Sequence, residues 1–180
     1  GLFFGIAVGW LCVAIAFILI YIEFQISNSF IDDLSGLYNR KYMNHYLNKL
    51  QNNKTKHVYG FLLDVNDFKV INDTYGHLSG DRAIIHIGKI LQNTVGNGCV
   101  AIRMGGDEFV IFAILKSNEE ALALKKHIEQ NVRQFNIHSK EPFHLSFSIG
   151  IAKYSGNIDT FLSAMDDSMY EAKNMHRLMH

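Results

Sequence analysis

The sequence is poor in proline and cysteine, and it has no excess of charge of either sign. Its 180 residues include one proline and two cysteines, and 17 basic side chains balance 17 acidic ones. The cysteines, Cys12 and Cys99, are too few and too far apart for a disulfide framework or a zinc site. A balanced charge also provides no basic field of the kind that attracts nucleic acid. These absences argue against a disulfide-stapled secreted domain and predict that nucleic acid is not a partner.

The N-terminal segment lacks charge altogether. From Gly1 to Ile22 no residue is charged and most are apolar, and the first charge is Glu23. About 20 apolar residues form a helix that crosses a bilayer, so the pattern predicts a transmembrane helix over 1–22. Two alternatives fit less well, because a signal peptide has a basic start and a cleavage site, and a helix in the core of a globular domain has a polar face.

The remaining chain is expected to comprise a juxtamembrane connector over 23–31 and a folded domain over 32–180. No Lys or Arg precedes Arg40, so the positive-inside rule does not predict which side of the membrane the domain faces. Because the sequence starts with Gly1 rather than Met, we expect it to be a fragment of a longer membrane protein.

Residue spacing in the folded domain predicts alternating helices and strands. Apolar residues at helical spacing predict helices over 39–50, 79–95, 119–135 and 159–176, with Ser79 as an N-cap. Short apolar runs predict strands over 58–65, 100–103, 109–114 and 143–152. This order predicts an α+β fold with a mixed central sheet flanked by helices, preceded by the transmembrane helix.

A polar stretch follows the predicted strand over 58–65. Asp64 closes that strand, at the sheet edge where α/β proteins bind ligands. The residues after it are rich in Asp and Asn, and Phe68 and Ile71 among them are apolar anchors that predict a short helix. A polar surface turn is the simpler alternative for this stretch.

The segment RMGGDEF contains a second candidate site. Gly105 and Gly106 predict a two-residue hairpin turn, which favours positive φ angles, and alone they predict nothing more. Asp107 and Glu108 follow directly, and two adjacent carboxylates are more stable when a cation is held beside them. If the hairpin lies beside the strand that ends at Asp64, Asp64 and Asp107 can share a hard divalent ion that holds a polyphosphate. The glycines would then let a nucleotide approach the backbone.

Together these segments resemble the motifs of the GGDEF-domain diguanylate cyclases. RMGGDEF resembles the signature, and four further segments match the family in order and spacing: DDLSGLYNR (32–40), DVNDFKVINDTYGHLSGD (64–81), SIGIA (148–152) and DDSMYEAKNMHR (166–177). The resemblance covers 32–177, and five ordered motifs are far more specific than the signature alone.

The resemblance implies a fold, a reaction and cofactors. The fold is similar to a polymerase palm or nucleotidyl cyclase. Enzymes of the family join two GTP molecules into cyclic di-GMP and release two pyrophosphates, and each subunit of a homodimer holds one GTP. The 3′-hydroxyl of each nucleotide attacks the α-phosphate of the other, with two Mg²⁺ or Mn²⁺ ions per active site. Because GTP is cytoplasmic, we expect the domain on the cytoplasmic side of the inner membrane.

The resemblance also assigns roles to residues at matching positions. The expected metal ligands are Asp64, the backbone carbonyl of Val65, and Asp107. The expected catalytic residues are Asp107, as acceptor of the hydroxyl proton, its neighbour Glu108, and Lys69 on the phosphates. The expected substrate-binding residues are Phe68, Asn72, His77, Asp81, Lys173 and Arg177.

Two pairs within the substrate-binding set have specific roles. Asn72 and Asp81 are expected to read the guanine edge, with His77 in the same nucleotide pocket. Lys173 and Arg177 stand at i and i+4 on the last helix, so both can reach the triphosphate. By spacing alone, that basic pair is equally typical of a solvated helix end.

Two positions depart from the family pattern. Asn66 replaces the second Asp of the D-x-D motif, so we expect activity to be retained with altered metal affinity. The inhibitory product site of many members, R-x-x-D, falls here on 96–99, which reads Gly-Asn-Gly-Cys. Neither the Arg nor the Asp is present, so we expect no inhibitory site and no product feedback through it.

Two other functions remain open. A non-catalytic module that binds GTP or cyclic di-GMP would share the fold, but such members usually have a broken signature, and this sequence retains it. A cyclase that makes a different product would use other nucleotides, which Asn72 and Asp81 together disfavour. An assay for cyclic di-GMP distinguishes these possibilities.

Overall fold

The computed structural model describes residues 2–28, 30–52, 57–96 and 98–179. The elements are α1 (Leu2–Asn28), β1 (Tyr38–Asn39), α2 (Arg40–Asn52), β2 (Val58–Val65), α3 (Phe68–Tyr75), α4 (His77–Thr94), β3 (Cys99–Gly105), β4 (Glu108–Ile114), α5 (Asn118–His138), β5 (Phe147–Lys153) and α6 (Ile158–Met179). The predicted alternation of helices and strands is confirmed, including the short helix after Asp64.

A five-stranded mixed sheet forms the centre of the domain, in the order β1-β3-β4-β2-β5. β1 runs parallel to β3, and all other neighbours are antiparallel. Every residue of β2 is buried, and its alternating side chains reach two separate cores. Phe61 and Leu63 pack in the core that contains α4 and α5, whereas Val58 and Leu62 pack in the core that contains α2 and α6. The predicted α+β fold with helices on both faces is therefore confirmed.

Helix α6 lies close against β2 and β5 because two strand glycines make room for it. A Cβ at Gly60 would collide with the Met165 side chain, and one at Gly150 would collide with the α6 backbone at Met165 and Met169. This close packing fixes the path of α6 along the sheet. It carries the last turns of α6, with their basic side chains, to the end of β2 where Asp64 lies.

The strand predicted over 143–152 begins later, at Phe147. The Asn136 amide binds both backbone groups of Leu145: its Nδ2 donates to the carbonyl at 2.7 Å, and its Oδ1 accepts from the N–H at 2.8 Å. Phe143 and Leu145 are buried as an apolar strand would be. A side chain, rather than a neighbouring strand, satisfies this stretch of backbone, so the prediction was wrong for its first residues.

Helix α1 confirms that the N-terminal segment is helical but not that it spans a membrane. It runs from Leu2 to Asn28, past the boundary expected at residue 22, and Gly1 lies outside the described residues. Large apolar side chains from Trp10 to Phe24 are exposed along it. Crossing a bilayer takes about 20 consecutive apolar residues, and no helix within the described ranges is long and apolar enough to do so. The predicted transmembrane helix over 1–22 is therefore not supported.

Candidate active site

The end of β2 meets the β3–β4 hairpin as the sequence predicts. Asp64, the penultimate residue of β2, pairs with Glu108 of β4 on one side and Ser148 of β5 on the other. The N–H of Val65 donates to the carbonyl of Asp107 at 3.2 Å. Asp64 and Asp107 therefore lie on neighbouring segments of backbone, which a shared cation site requires.

The tight turn of the hairpin lies one residue later than predicted. Gly105 pairs with Glu108, so the two central residues of the turn are Gly106 and Asp107. The pairing register shifts between Arg103 and Gly105, and this bulge displaces the turn. Both glycines do have positive φ angles, +148° and +54°. Asp107 therefore occupies a turn rather than a strand, where a carboxylate is better tolerated.

Arg103 ties this turn to the start of the domain. Its Nε and Nη2 atoms donate to the carbonyl of Gly106 at 3.1 and 2.9 Å, and its Nη1 donates to Asp32 at 3.0 Å. Asp32 also accepts from the backbone N–H and the hydroxyl of Ser35. Sequence reasoning missed Arg103 because it considered only the glycines and carboxylates of the signature. An Arg just before a glycine-rich turn was the available signal.

A cleft of about 220 Å³ opens between the end of β2, the hairpin turn and α6. Its lining combines acidic, carbonyl, basic and aromatic groups that were predicted for the site: Asp64, Val65, Phe68, Lys69, Asp107, Lys173 and Arg177. Three further residues complete it: Asn66, Asp67 and His176. The predicted metal ligands and phosphate-binding side chains therefore share one cleft.

Two contacts connect α6 to this cleft. The Lys173 ammonium donates to Asp64 at 2.7 Å, and Asp64 is only 5% exposed. The Nε2 atom of His176 lies 3.5 Å from the carboxylate of Asp67, which has a left-handed backbone with φ of +55°. A buried carboxylate needs a counter-charge, and Lys173 provides it. His176 was not predicted, although its place one turn after Lys173 on the same helix was a usable signal.

The Asn66 amide forms hydrogen bonds that hold the loop after β2 against β5. Its Nδ2 donates to the hydroxyl of Ser146 at 3.1 Å, and its Oδ1 accepts from the hydroxyl of Ser148 at 2.7 Å. Its backbone N–H also donates to the carbonyl of Ser146 at 2.9 Å. Both ends of the amide therefore hold this loop to β5 and its preceding residue. The effect of Asn66 on metal affinity stays a prediction.

The carboxylates of the cleft fit a hard divalent cation. Burial raises the pKa of Asp107 above its usual value, and the charge of Asp64 raises it further, against the opposing effects of a backbone hydrogen bond, Lys173 and Arg103. Burial is the larger cause of this rise and the charge of Asp64 the smaller one, and both would be offset by a cation bound beside the two carboxylates. Across the described residues, no group of three or more His, Cys, Asp and Glu side chains is placed to hold a metal. A cation beside Asp64 and Asp107 therefore needs other oxygen ligands, of which the Val65 carbonyl is one.

The predicted base-reading residues lie beside this cleft, on the corner formed by α3 and α4. The two helices join at Gly76, and Asn72 of α3 packs against Gly80 of α4 so closely that a Cβ there would collide with the Asn72 side-chain oxygen. His77 and Asp81 are exposed on the first turns of α4. These three polar side chains share one corner rather than the cleft itself.

One further expectation needs correction, and another stays a prediction. Glu108 begins β4 opposite Asp64 and is exposed, and the described lining of the cleft does not include it, so its catalytic role stays a prediction. Ser79 is not an N-cap, because α4 begins at His77 and the Ser79 hydroxyl donates to the carbonyl of Tyr75 at 2.9 Å. The structure thus places Glu108 beside the site and Ser79 in the first turn of α4, where its hydroxyl contacts the end of α3.

Comparison with known proteins agrees with these observations. The family model described as "Diguanylate cyclase, GGDEF domain" matches residues 29–178. Diguanylate cyclase DgcP from Escherichia coli (strain K12) is 31% identical over 155 residues, which cover 82% of this chain and 46% of that protein. An uncharacterized membrane protein from Staphylococcus aureus (strain USA300) is 31% identical over 179 residues, which cover 91% of this chain and 50% of that protein. The chain spans about half the length of these curated relatives or less.

A solved structure shows the same fold. The coiled coil and GGDEF domain of DgcB from Caulobacter crescentus, crystallised in complex with c-di-GMP, superposes with a TM-score of 0.78 at 20% identity and covers 90% of each chain. The family match extends from just before the Asp32 loop to the end of α6, so it includes the end of β2, the signature hairpin and the basic helix. The chain therefore belongs to the GGDEF-domain family of diguanylate cyclases.

Proposed function

We propose that this chain is the catalytic domain of a diguanylate cyclase, which condenses two GTP molecules into cyclic di-GMP and releases two pyrophosphates. The observation that carries the proposal is the cleft in which Asp64 and Asp107 meet Lys69, Lys173 and Arg177. Carboxylates that bind cations and basic side chains that bind phosphates are what nucleotidyl transfer requires in one place. The named activity of the relative DgcP supports the same assignment.

In the proposed reaction, the 3′-hydroxyl oxygen of one GTP attacks the α-phosphorus of the other. An oxygen–phosphorus bond forms while the bond from the α-phosphorus to the pyrophosphate oxygen breaks, and the reciprocal step closes the ring. Asp107 receives the hydroxyl proton, with Glu108 as the neighbouring acid. Lys69, Lys173 and Arg177 bind phosphate oxygens and stabilise the negative charge that develops on them.

Two Mg²⁺ or Mn²⁺ ions are the proposed cofactors of each active site. Asp64, Asp107 and the Val65 carbonyl would supply hard oxygen ligands of the kind that such ions take. When bound, the ions neutralise phosphate charge and make the attacking hydroxyl more acidic. Lys173 is 2.7 Å from Asp64, so we expect its ammonium to contact phosphates held at this carboxylate.

The α3–α4 corner is proposed to bind the guanine base. Asn72 has both a donor and an acceptor, and Asp81 accepts hydrogen bonds, which matches the acceptors and donors on the guanine edge. Phe68 belongs to both the cleft lining and α3, so a nucleotide with its phosphates in the cleft can extend its base towards this corner. His77 is proposed to line the same pocket.

A homodimer is the proposed active form, because the reaction joins two nucleotides and each domain binds one. In a homodimer, two clefts face each other so that each 3′-hydroxyl reaches the α-phosphate held by the partner. The partners of this chain are therefore a second copy of itself and GTP.

We also propose that the domain acts in the cytoplasm, where GTP is available, and that α1 attaches it to the inner membrane. Exposed apolar side chains such as Trp10, Phe17 and Tyr21 support attachment. So does the similarity over 91% of this chain to a protein named as a membrane protein. Fractionation of cells that express the full chain tests this proposal. A chain that stays in the supernatant after high-speed centrifugation of the lysate would contradict it.

The cyclase proposal is tested by incubating the full chain with GTP and Mg²⁺ and quantifying cyclic di-GMP by mass spectrometry. We expect product from the wild type, and a rate at least about 100-fold lower from Asp107→Asn, which keeps the shape of the side chain but removes its charge and basicity. Calorimetric titration with GTP is run on both proteins. Tight GTP binding by a folded wild type that forms no product would contradict the cyclase and favour a non-catalytic binding module.

A further inference from the structure

We propose that Glu141 is a positioning residue for the guanine site, because it holds helix α4 in the orientation that directs Asp81 towards the base. The inference rests on the proposed function, in which Asn72 and Asp81 read guanine. Glu141 itself lies between α5 and β5, outside the cleft and outside every motif that the resemblance covers. Its role follows from a chain of contacts that ends at the α3–α4 corner.

The Glu141 carboxylate joins the segment after α5 to helix α4. The Nε of Arg82 donates to its two oxygens at 3.2 and 3.0 Å, and the Nε2 of His86 lies 3.1 Å from one of them. The His86 ring also packs against Phe135 of α5, with 4.7 Å between ring centroids. Although burial alone would raise it, the contacts with His86 and Arg82 lower the pKa of Glu141 below its usual value. The segment is itself ordered, since the N–H of Glu141 donates to the hydroxyl of Ser139.

Arg82 connects Glu141 to the junction between α3 and α4 by hydrogen bonds. Its Nη2 donates to the hydroxyl of Ser79 at 3.0 Å, and that hydroxyl donates to the carbonyl of Tyr75 at 2.9 Å. Tyr75 is the last residue of α3, and Gly76 alone, with φ of +83°, separates it from α4. A glycine junction leaves the angle between two helices poorly determined. The contacts from Glu141 through Arg82 and Ser79 therefore add to the backbone hydrogen bonds at Gly76 in fixing that angle.

The angle matters because each helix carries one of the proposed base readers. Asn72 packs against Gly80 with no room for a Cβ, so a small movement of α4 relative to α3 displaces it. Asp81 directly precedes Arg82 and is exposed, so the orientation of this turn sets the direction of its carboxylate. Sites that read a ligand by hydrogen bonds discriminate strongly, and they lose discrimination when those bonds are misaligned. Glu141 therefore influences base selection from outside the nucleotide site.

Steady-state kinetics of the full chain with GTP and with ITP, which lacks the 2-amino group of guanine, test this role. For Glu141→Gln and Glu141→Ala we expect the KM for GTP to rise up to about five-fold, the range of a partly exposed ion pair. The kcat is expected to change less than about two-fold. The preference for GTP over ITP, which is the ratio of their kcat/KM values, is expected to fall as the KM for GTP rises. Glu129→Gln, an exposed Glu of α5, is the matched control and is expected to keep wild-type values.

A charge exchange separates positioning from general stability. The double variant Arg82→Glu with Glu141→Arg restores an ion pair between the two positions, so it is expected to recover at least part of the GTP preference that the single variants lose. Thermal melting identifies any variant that fails to fold. If Glu141→Ala does not fold, the test uses Glu141→Gln and the charge exchange instead. Wild-type KM and wild-type GTP preference in folded Glu141→Ala would overturn the inference.

The outcome for Asp81 distinguishes this inference from the function on which it rests. If the wild type makes cyclic di-GMP and Asp81→Asn weakens GTP binding while Glu141→Ala does not, only the role of Glu141 is overturned. If the wild type makes no cyclic di-GMP, the proposed function fails and the role of Glu141 fails with it.

Discussion

At the scale of single residues, the site depends on side chains that hold its backbone in place as well as on those that carry charge. Arg103 binds the carbonyl of Gly106 with two of its nitrogens, and Gly106 forms the hairpin turn together with Asp107. Asn66 braces the neighbouring strand end through its contacts with β5. Because a misplacement of about 1 Å can cost a large factor in rate, such contacts affect catalysis without touching the substrate.

Replacing Arg103 with Lys is expected to lower kcat about ten-fold and to change the KM for GTP little. An ammonium group cannot reproduce the planar fork that binds both the Gly106 carbonyl and Asp32, so Asp107 is held less accurately. Steady-state kinetics with GTP separate the two parameters. Arg133→Lys, an exposed change on α5, is the control. An Arg103→Lys chain with wild-type kcat would show that the turn does not need this fork.

Replacing Asp32 with Asn is expected to flatten the response of stability to acid. Burial alone would raise the pKa of Asp32. Hydrogen bonds from Ser35 and the charge of Arg103 outweigh burial and lower this pKa below its ordinary value of 3.8. A group with a depressed pKa stabilises the fold above its ordinary value, and this contribution is lost as the pH falls through the folded value. The wild type therefore loses, below about pH 3.8, a stabilisation that the variant never has.

Urea unfolding at pH 7 and at pH 3 measures this difference. At pH 7 the Asp32→Asn chain is expected to be about 1 kcal/mol less stable, a value reduced by the partial exposure of the pair. At pH 3 the difference in free energy of unfolding between the two proteins is expected to be smaller. Asp33→Asn, at the exposed neighbouring position, serves as the control. A gap that stays constant between the two pH values would contradict the role given to Asp32.

At the scale of elements, the cleft and the base-reading corner each depend on glycines that allow close packing. Gly150 lets α6 lie against β5 and bring Lys173 to the end of β2, and Gly80 lets α4 receive the Asn72 side chain of α3. The two pairs of elements form different parts of the site. Helix α6 sets the position of the groups proposed to bind phosphate, and the α3–α4 corner sets the position of the groups proposed to read the base.

Replacing Gly80 with Ala is expected to weaken GTP binding and to lower stability. Ala favours a helix over Gly by about 1 kcal/mol, but the new Cβ collides with the Asn72 side chain, and overpacking of this kind costs about 1–3 kcal/mol. The net result is a free energy of unfolding that is lower by up to about 2 kcal/mol. The KM for GTP is expected to rise. In an Asn72→Ala background the collision is absent, so there Gly80→Ala should not weaken GTP binding further. Equal effects in both backgrounds would contradict the contact.

Elements with strong periodicity were predictable from the sequence, whereas features set by distant contacts were not. The bounds of β2 were predicted correctly because its continuous apolar run reflects burial on both faces. The late start of β5 depends on the Asn136 amide and the register of the hairpin depends on a bulge, and neither leaves a local pattern. Within the site, sequence motifs were sufficient to predict Asp64 and Asp107. Arg103 and His176 had only a local signal, their places next to the signature turn and one turn after Lys173, whereas Glu141 required knowledge of which distant segments meet.

At the scale of the whole molecule, the proposed reaction assigns one GTP to each domain. If the cleft binds one triphosphate and the α3–α4 corner binds one base, as proposed, product formation requires two copies to meet. Encounter between copies would then be a point at which activity can be controlled. Feedback through residues 96–99 is not expected, because this segment reads Gly-Asn-Gly-Cys and lacks the charged pair found in many members of the family.

Cyclic di-GMP is accordingly expected not to inhibit initial rates through residues 96–99. Rates are measured over a range of GTP concentrations at several concentrations of added product, in the wild type and in a Gly98→Ala, Cys99→Ala double variant. Competition at the active site raises the apparent KM equally in both proteins and leaves kcat unchanged. Inhibition of kcat in the wild type that disappears in the double variant would contradict the expectation.

The most direct test of the central claim, that this site joins two GTP molecules through reciprocal attack, compares GTP with 3′-deoxy-GTP. With GTP, the full chain is expected to form cyclic di-GMP and two pyrophosphates for each product molecule. With 3′-deoxy-GTP alone, no product is expected, because the attacking oxygen is missing. A mixture of the two should add a linear dinucleotide with one pyrophosphate released, and Asp107→Asn should abolish all of these products. Hydrolysis of GTP without any dinucleotide, or a linear dinucleotide from GTP that never closes, would contradict the account.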